Sequence, residues 1–296
     1  MTPEQDSPPP PRPAVARTVA EVRALVARAR RDGRTVGFVP TMGALHAGHR
    51  ALVEAAARAT GFVVVSIFVN PTQFGPTEDL SRYPRTWDAD LDLCAAGGAA
   101  VVFAPEVAEV YPSGGLATFV DVPGVGDVLE GASRPGHFRG VATVVLKLFG
   151  MVGPDVAFFG AKDYQQQLLI RRMVADLDVP VRISTEPTVR EADGLAMSSR
   201  NCYLDPAERR AATVLHRALT AARAAVDAGE ADAGRVRQIL AGTLKSEPRA
   251  RVETIDLVDA ATLAPAESVG PGRQVVALLA VRVGPARLID NAWMSE

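Results

Sequence analysis

Two histidines three positions apart, His46 and His49, are the residues whose type and spacing most directly indicate chemistry. They lie in PTMGALHAGH at residues 40–49, between an apolar run at 35–39 and a helix-like stretch at 49–59. In open α/β sheets the turn from a strand into a helix binds anions, because free backbone N–H groups and the helix dipole point into it. Imidazoles placed there can donate hydrogen bonds to a phosphate and to the oxygen that leaves it. The alternative is an ordinary turn, which is disfavoured because the chain has only four histidines.

Neutral amides follow the next strand-like run. Asn70 and Gln73 lie in FVNPTQFGP, residues 68–76, where a very apolar stretch ends. Substrates bind at the carboxyl ends of strands, and amides that both donate and accept suit a ligand with hydroxyls and a carboxylate. A capped Asn-Pro turn without a ligand stays open as the alternative.

Three aspartates alternate a little further on, at Asp88, Asp90 and Asp92 in a helix-like stretch at 87–96. On a helix such alternate positions point to different faces. We therefore interpret them mainly as solvated charge and predict no metal site formed by protein side chains.

A lysine follows a third apolar run, in FFGAKDYQQ at residues 158–166. Gly160 would let a ligand approach the backbone closely, and Lys162 can neutralise phosphate charge. Asp163 can cap the helix that follows, and Gln166 lies one turn further on the same side. A purely structural Lys-Asp pair at a helix start is the alternative.

Two polar loops supply further candidate anion contacts. Arg134, His137 and Arg139 surround the glycine-flanked turn at residues 136–140, which is either part of an anion pocket or an ordinary turn. AMSSRN at residues 196–201 puts two hydroxyls and a guanidinium in sequence, which fits a mobile clamp on triphosphate oxygens. The alternative is a serine-rich capping loop, since an Asp-Pro pair then starts a helix.

Composition excludes several classes of protein. The 296 residues are 48% apolar and 22% charged, as in a globular protein with a substantial core. A formal net charge of −2 argues against broad nucleic-acid binding. Cys94 and Cys202 are the only cysteines and lie far apart, so the sequence predicts no disulfide framework. Because neither a membrane span of roughly 20 apolar residues nor a secretory signal is visible, we expect a cytoplasmic protein with no membrane partner.

The order of apolar runs predicts the fold. Strand-like runs lie at 35–39, 62–69, 100–103, 156–159, 181–184, 251–258 and 274–283, and helix-like runs at 18–31, 49–59, 87–96, 139–151, 164–177, 206–229 and 231–244. Strands alternating with helices predict βαβ units, whereas helices followed by strands after residue 185 predict an α+β domain. The expected fold class is α/β, a Rossmann-like doubly wound parallel sheet domain at 18–188 followed by a smaller α+β domain at 189–296. Residues 1–17 read as a disordered proline-rich tail.

No Walker A pattern occurs and no GxGxxG follows the first strand, which disfavours P-loop kinases and ordinary dinucleotide dehydrogenases. From about residue 15 to 291 the chain resembles the pantothenate synthetase (pantoate–β-alanine ligase) family of the His-x-Gly-His nucleotidyltransferase superfamily. The segments that carry the resemblance are PTMGALHAGH (40–49), FVNPTQFGPTEDLSRYPR (68–85), GHFRGVATVV (136–145), FFGAKDYQQ (158–166), MSSRN (197–201) and RLIDN (287–291). The His-x-Gly-His signature by itself marks only the wider superfamily, which includes class I aminoacyl-tRNA synthetases.

The resemblance implies a two-step ligation. The carboxylate of (R)-pantoate would attack the α-phosphorus of Mg-ATP, giving pantoyl adenylate and pyrophosphate, and the amine of β-alanine would then displace AMP to give pantothenate. Mg²⁺ would enter with ATP as co-substrate. The resemblance also implies a homodimer whose other partners are the small molecules ATP, pantoate and β-alanine. The domain at 18–188 would bind nucleotide and pantoate, and the domain at 189–296 would act as a lid.

The resemblance also assigns roles to individual residues. Catalytic roles are assigned to His46, His49, Lys162, Ser198, Ser199 and Arg200. ATP contacts are assigned to Met42, Gly43, His46, Gly48, His49, Gly160, Ala161, Lys162, Asp163, Val189, Met197, Ser198, Ser199 and Arg200. Pantoate contacts are assigned to Met42, Asn70, Gln73 and Gln166, and Gln73 would also face β-alanine. His49 takes the family's proton-donor position, but we expect it mainly to stabilise charge, since phosphoryl oxygens leave with little need of a proton.

Two other functions stay open at this point. Another His-x-Gly-His adenylyltransferase would need cations in its acceptor pocket, whereas the segments at 70–73 and 164–166 supply amides. A non-catalytic ATP or pantoate sensor predicts the loss of a key side chain. His46, His49, Lys162 and Arg200 are all present.

Overall fold

The computed structural model describes residues 12–76, 78, 80–114 and 117–295. These residues form two compact units, each assembled from three segments of the chain. The first unit comprises the described part of Met1–Val120 with Thr143–Phe159 and Asp178–Glu186. The second comprises Asp121–Ala142, Gly160–Leu177 and the described part of Pro187–Glu296.

Most helices and strands agree with the expected runs. The strands Ala14–Ala16 and Ala286–Ser295 and the short helices Val107–Val110 and Glu130–Ser133 lie outside those runs. In chain order they are β1 Ala14–Ala16, α1 Val19–Arg31, β2 Val36–Thr41, α2 Ala47–Ala59, β3 Phe62–Ile67, α3 Trp87–Gly97, β4 Val101–Phe103, α4 Val107–Val110, α5 Glu130–Ser133, α6 His137–Val152, β5 Val156–Gly160, α7 Tyr164–Asp176, β6 Arg182–Glu186, α8 Pro206–Ala211, α9 Val214–Asp227, α10 Ala233–Lys245, β7 Ala250–Asp259, β8 Val275–Val283 and β9 Ala286–Ser295. Short 3₁₀ helices lie at Pro71–Gln73, Leu80–Arg82 and Ser199–Tyr203. None of the helices in the described residues is long and apolar enough to cross a membrane.

The first unit contains a six-stranded sheet in the order β1-β4-β3-β2-β5-β6. β2 pairs in parallel with β3 on one side and with β5 on the other, and β3–β4 and β4–β1 are also parallel. The chain winds outward from β2 through β3 to β4 and then returns to β5, so the winding direction reverses between β2 and β5. Open α/β sheets bind their ligands at such a reversal, outside the carboxyl ends of the strands. The end of β2, which leads into residues 42–49, is therefore the expected binding edge.

Burial explains why the strands of this sheet appear as continuous apolar runs in the sequence. Phe38 and Val39 of β2 and Val64 of β3 are fully shielded from solvent. Phe149 of α6 meets Phe38 edge-on, with 6.3 Å between the ring centroids. Burying one such side chain stabilises the folded state by about 1.5–3 kcal/mol. This core holds the strand ends from which the site residues project.

The second unit contains a three-stranded antiparallel sheet in the order β7-β8-β9. α9 packs on β9, and α10 packs on α9 and β7. Leu215 and Leu219 of α9, and Leu240 and Leu244 of α10, are buried and four positions apart, so each pair lies on one helix face. β9 lies at one edge of the sheet and carries the RLIDN segment.

The expected fold class is confirmed, with two local corrections. Ala14–Ala16, which the sequence analysis places in the tail, is an edge strand parallel to β4. The sequence analysis missed this strand because three residues are too few to show a periodicity. The rest of that tail, residues 1–11, lies outside the described residues. The helix expected over 206–229 is divided into α8 and α9. The Thr213 hydroxyl donates to the Arg210 carbonyl at 2.8 Å, which competes with the helical hydrogen bond at the division.

The units are not single stretches of sequence. Asp121–Ala142 and Gly160–Leu177 group with the residues that follow Pro187. The division at 18–188 and 189–296, and the lid role of the second part, stay predictions.

Candidate active site

His46 and His49 begin α2 and are held by the backbone of the same turn. His46 is the N-cap, and its Nδ1 accepts the N–H of Gly48 at 3.2 Å. His49 Nδ1 accepts the N–H of His46 at 3.3 Å, and the two ring centroids lie 4.1 Å apart. A neutral imidazole that accepts at Nδ1 carries its proton at Nε2, so both rings are donors at Nε2. The hydrogen bonds that start the helix therefore also set the donor atoms of both histidines.

Asp90 supports the turn before these histidines and was missed by the sequence analysis. Its carboxylate is 2% exposed and accepts the backbone N–H groups of Ala44 at 3.0 Å and Leu45 at 2.8 Å. Interpreting it as solvated charge is wrong for this aspartate. The spacing of the helix could have indicated the burial of Asp90. Asp90 lies four residues before Cys94 and seven before Gly97, and all three are on the buried face of α3.

The turn at 43–45 is tight around Gly43. Gly43 and Ala44 have positive φ angles of 84° and 50°. A Cβ on Gly43 would lie 3.1 Å from both Asp90 Oδ2 and the Ile67 side chain. A side chain at position 43 would therefore strain the conformation that Asp90 holds, which favours glycine there.

A chain of hydrogen bonds joins three of the predicted substrate residues. The Tyr111 hydroxyl donates to Asn70 Oδ1 at 2.7 Å, and Asn70 Nδ2 donates to Gln73 Oε1 at 3.1 Å. Gln73 Nε2 in turn lies 3.0 Å from Met42 Sδ. Asn70 Oδ1 also accepts the N–H of Thr72 at 3.3 Å, so the alternative of a capped Asn-Pro turn is confirmed, while the substrate contact of Asn70 stays a prediction. Sequence reasoning missed Tyr111, whose pKa is raised by burial, which keeps its hydroxyl a donor.

The first unit also contains a cavity of about 670 Å³ at the carboxyl ends of its strands. Met42, Gly43, Phe68, Trp87 and Asp90 are among its lining residues. This volume is in the range of small-molecule sites. The two histidines, Asn70 and Gln73 do not line it.

In the second unit Lys162, Asp163 and Gln166 line a cavity of about 70 Å³. That volume holds a few waters or one small polar group rather than a nucleotide. Lys162 Nζ lies 3.4 Å from Asp163 Oδ1. Asp163 stands at the N-cap position of α7 but makes no side-chain hydrogen bond to that helix among the described residues, so the expected cap is wrong. A Cβ on Gly160 would meet no described atom within 4 Å, which leaves its backbone open to approach.

The segment around 189–201 is a tight turn followed by a 3₁₀ helix. The N–H of Met197 donates to the Val189 carbonyl at 3.0 Å. Ser198 is the N-cap of the 3₁₀ helix Ser199–Tyr203, and its Oγ accepts the N–H of Arg200 at 3.3 Å. The serine-rich segment therefore caps its own short helix, while α8 is capped separately by Asp205.

The turn at 134–139 contains a hydrogen-bonded Arg–His pair beside a cavity and a separate ion pair. Arg134 Nη1 lies 2.9 Å from His137 Nε2, and both residues line the cavity of Lys162. Arg139 instead pairs with Asp121 at 2.6 Å. The charge of Arg139 is thus compensated within the unit. The anion-binding role of Arg134 and His137 stays a prediction. Within the described part of the chain, no group of three or more His, Cys, Asp or Glu could hold a metal ion.

A doubly wound parallel sheet with two cap histidines at its switch point defines an α/β nucleotide-binding protein of the His-x-Gly-His type. The model of the family "Pantoate-beta-alanine ligase" matches residues 14–293. The chain belongs to that family.

Individual relatives agree over nearly the whole chain. It is 55% identical over 274 residues to a pantothenate synthetase of Moorella thermoacetica, covering 93% of this chain and 96% of that protein. The crystal structure of pantothenate synthetase from Thermus thermophilus is 48% identical with a TM-score of 0.90, covering 96% of this chain and 100% of the other. Pantoate-beta-alanine ligase from Francisella tularensis, crystallised with beta-gamma ATP and beta-alanine, is 31% identical with a TM-score of 0.78, covering 95% and 98%. The family and enzyme class predicted from the sequence are confirmed, and the residue roles stay predictions.

Proposed function

We propose that this chain catalyses the ATP-dependent condensation of (R)-pantoate with β-alanine to pantothenate, AMP and pyrophosphate. The observation that carries the proposal is the two-histidine helix start at the switch point of the sheet, in a chain of the pantoate–β-alanine ligase family. The Francisella tularensis relative, crystallised with beta-gamma ATP and beta-alanine, supports ATP and β-alanine as substrates here.

The chemistry needs ATP because a carboxylate is a poor acyl donor. A pantoate carboxylate oxygen forms a bond to the α-phosphorus of ATP while the bond to the β-phosphate oxygen breaks, releasing pyrophosphate. The β-alanine amine then forms the amide bond as the acyl–phosphate bond breaks, releasing AMP and a proton. The task of the protein is to orient ATP and two carboxylic acids and to stabilise charge that moves onto phosphate oxygens.

His46 and His49 meet this need as hydrogen-bond donors. Their Nδ1 atoms accept hydrogen bonds from the backbone of the turn, so Nε2 is the donor atom of each neutral ring. We assign both to the phosphates of ATP, together with Met42 and Gly43 of the same turn. The N–H of Gly48 is already bonded to His46, so a contact from Gly48 would be made by another atom.

The second unit supplies the remaining nucleotide contacts. We assign Lys162 to the phosphates because its partly exposed ammonium can neutralise phosphate charge and lies close in sequence to Gly160, where a Cβ would meet no described atom within 4 Å. Asp163 is assigned to the ribose, and the backbone of Val189 to adenine. Met197, Ser198, Ser199 and Arg200 are assigned to the triphosphate, since their turn offers two hydroxyls and one guanidinium.

The amides are assigned to the organic acids. Asn70 is 1% exposed and fixes the orientation of Gln73 through the bond at 3.1 Å. Gln73 is assigned to pantoate and to β-alanine, and Gln166 to pantoate. A neutral amide can accept from a hydroxyl and donate to a carboxylate, which suits a hydroxy acid better than a phosphorylated acceptor.

Three further properties follow from the same assignment. We propose that Mg²⁺ enters as Mg-ATP, since this ion keeps several waters and is held largely by substrate phosphates. We propose a homodimer on the ground of the family, and the cytoplasm as location because ATP is the energy source. Nucleic acid and membrane are not assigned as partners.

The test is release of AMP and pyrophosphate from Mg-ATP and pantoate, with and without β-alanine, together with mass analysis of the product. Pantothenate formed only when both acids are present would establish the ligase. His49→Ala and Lys162→Ala should each lower the rate by about 10²–10³, while the exposed Lys245→Ala should leave it unchanged.

Other results would overturn the proposal. Turnover with a phosphorylated acceptor instead of pantoate would indicate a different adenylyltransferase. ATP binding without turnover would indicate a sensor. Rates within about tenfold of the wild type in His49→Ala or Lys162→Ala would remove the assigned role from that residue.

A further inference from the structure

The RLIDN segment at 287–291 carries part of the family resemblance but has no ligand role in the proposed function. In the structure it forms the middle of β9, an edge strand of the second unit. Asp290 and Asn291 are polar residues on this strand that are 3% and 8% exposed. Buried polar groups of this kind require partners, so what they bind is informative.

Asn291 binds the backbone of the predicted phosphate-binding lysine. Its Nδ2 donates to the carbonyl of Lys162 at 2.7 Å and to the carbonyl of Ala161 at 3.0 Å. A side-chain amide has two N–H donors, and both are used on two successive carbonyls. The bonds span 129 and 130 positions of sequence, so they are a tertiary clamp rather than a local turn.

The local turn around Lys162 contains one long backbone hydrogen bond. Asp163 does not cap α7 with its side chain, and the turn bond from its N–H to the Gly160 carbonyl is long, at 3.4 Å. The direction of the Lys162 Cα–Cβ bond is set by the backbone atoms of this residue, and therefore by the peptide units before and after it. Asn291 holds both peptide units, through the carbonyls of Ala161 and Lys162, and thereby fixes the direction in which the lysine side chain leaves the backbone.

The neighbouring aspartate holds Asn291 in place and serves a second segment. Asp290 Oδ1 accepts the N–H of Asn291 at 2.8 Å. Its two carboxylate oxygens also accept hydrogen bonds from the two terminal nitrogens of Arg190, at 2.7 and 2.9 Å. Arg190 follows Val189, the residue assigned to adenine. Successive strand residues point to opposite faces, so two neighbouring residues of β9 hold two segments, one on each side of the strand.

We propose that Asn291 is a positioning residue for adenylation, acting through the backbone of Lys162. The proposal rests on the phosphate role of Lys162 in the proposed function. Asn291 itself touches no substrate in this scheme. The Asn291 amide keeps the lysine directed at the departing pyrophosphate. Loss of this amide therefore slows adenylation, the first step of the reaction.

Asn291→Asp is the most direct test because it keeps the shape of the side chain and removes both N–H donors. A carboxylate facing two carbonyls cannot form either bond. We expect pantoate-dependent exchange of pyrophosphate into ATP to fall by about tenfold or more. Amide formation from preformed pantoyl adenylate should stay close to the wild-type rate, because pyrophosphate has already left. Should Asn291→Asp fail to fold, Asn291→Ser keeps a neutral donor and should give an intermediate rate.

A double-mutant cycle separates positioning through Lys162 from general destabilisation. In a Lys162→Ala background, Asn291→Asp should lower the exchange rate by less than about threefold, because the group it positions is gone. Gly229→Ala is the control, since this exposed glycine of the second unit has a φ of 101° and its Cβ would meet no described atom within 4 Å. It should lower the melting temperature without slowing exchange.

The failures of this proposal are distinguishable. If Lys162→Ala is slow and Asn291→Asp still costs about tenfold in that background, the positioning role is overturned while the function of Lys162 stands. If Gly229→Ala slows exchange as much as Asn291→Asp at equal loss of stability, the effect of Asn291 is structural and the proposal is wrong. If Lys162→Ala exchanges at the wild-type rate, the phosphate role of the lysine fails, and positioning through it fails with it.

Discussion

The carboxylate of Asp90 lies 2.8 Å from the backbone nitrogen of Leu45 and accepts its N–H. A second oxygen of the same side chain accepts the N–H of Ala44 at 3.0 Å. These bonds join α3 to the turn that leads into the two histidines. They compensate the burial of a charge that would otherwise be costly.

Replacing Asp90 by Asn should destabilise the protein. The amide offers one acceptor oxygen instead of two, so one buried backbone donor is left without a partner, at a cost of about 1–3 kcal/mol. Thermal unfolding measures the loss, and pantothenate formation should slow as well because the histidine turn loosens. Asp88→Asn is the matched control on the same helix, since that side chain is 83% exposed and should change stability by no more than about 0.5 kcal/mol. Equal effects of the two variants would contradict the supporting role of Asp90.

The two nitrogens of His49 can be tested separately. Asn at this position keeps an acceptor near Nδ1 for the N–H of His46, whereas Gln keeps a donor near Nε2. His49→Asn should therefore unfold near the wild-type temperature and lose about 10² in rate. His49→Gln should lose about 1 kcal/mol of stability through the broken cap and retain more activity. The reverse order in rate would show that Nδ1, not Nε2, serves the reaction.

Gly194 should be intolerant of any side chain. It has a φ of 91° in the turn before Ser198, and a Cβ there would collide with the ring of His216. Gly229→Ala, with a similar φ and open space, measures the backbone strain alone, about 1–2 kcal/mol. Gly194→Ala should lower the melting temperature clearly further, and adding His216→Ala should recover part of the difference. Identical melting temperatures for the two alanine variants would rule out the collision.

The two cysteines should react very differently. Burial, with a smaller contribution from the charge of Asp90, raises the pKa of Cys94 to about 12. At pH 8 only about one thiol in ten thousand would then be the reactive thiolate. Cys202 is exposed. A thiol reagent at pH 8 should therefore modify one cysteine per native chain and two after unfolding. Modification of both in the native state would contradict the burial of Cys94.

Local signals in the sequence anticipated most elements of the fold. Buried parallel strands are continuous apolar runs, and caps such as Thr18 and Asp205 lie within a few residues of the helix they start. The His-x-Gly-His turn was found for the same reason, because its strand, its glycine and its histidines are neighbours in sequence. β1 was missed because three residues paired to a distant strand have no pattern of their own.

The sequence alone determined the family, the fold class and the types of residue at the candidate site. Tertiary structure decided which side chains hold that site in place. Asp90 and Leu45 are 45 positions apart, Tyr111 and Asn70 are 41, and Asn291 and Lys162 are 129. A buried carboxylate, hydroxyl or amide is stable only where the fold brings it a partner, and that partner cannot be identified from the residue type. Local periodicity specifies helices and strands, whereas the packing of separate segments specifies the hydrogen bonds that orient the histidine turn and Lys162.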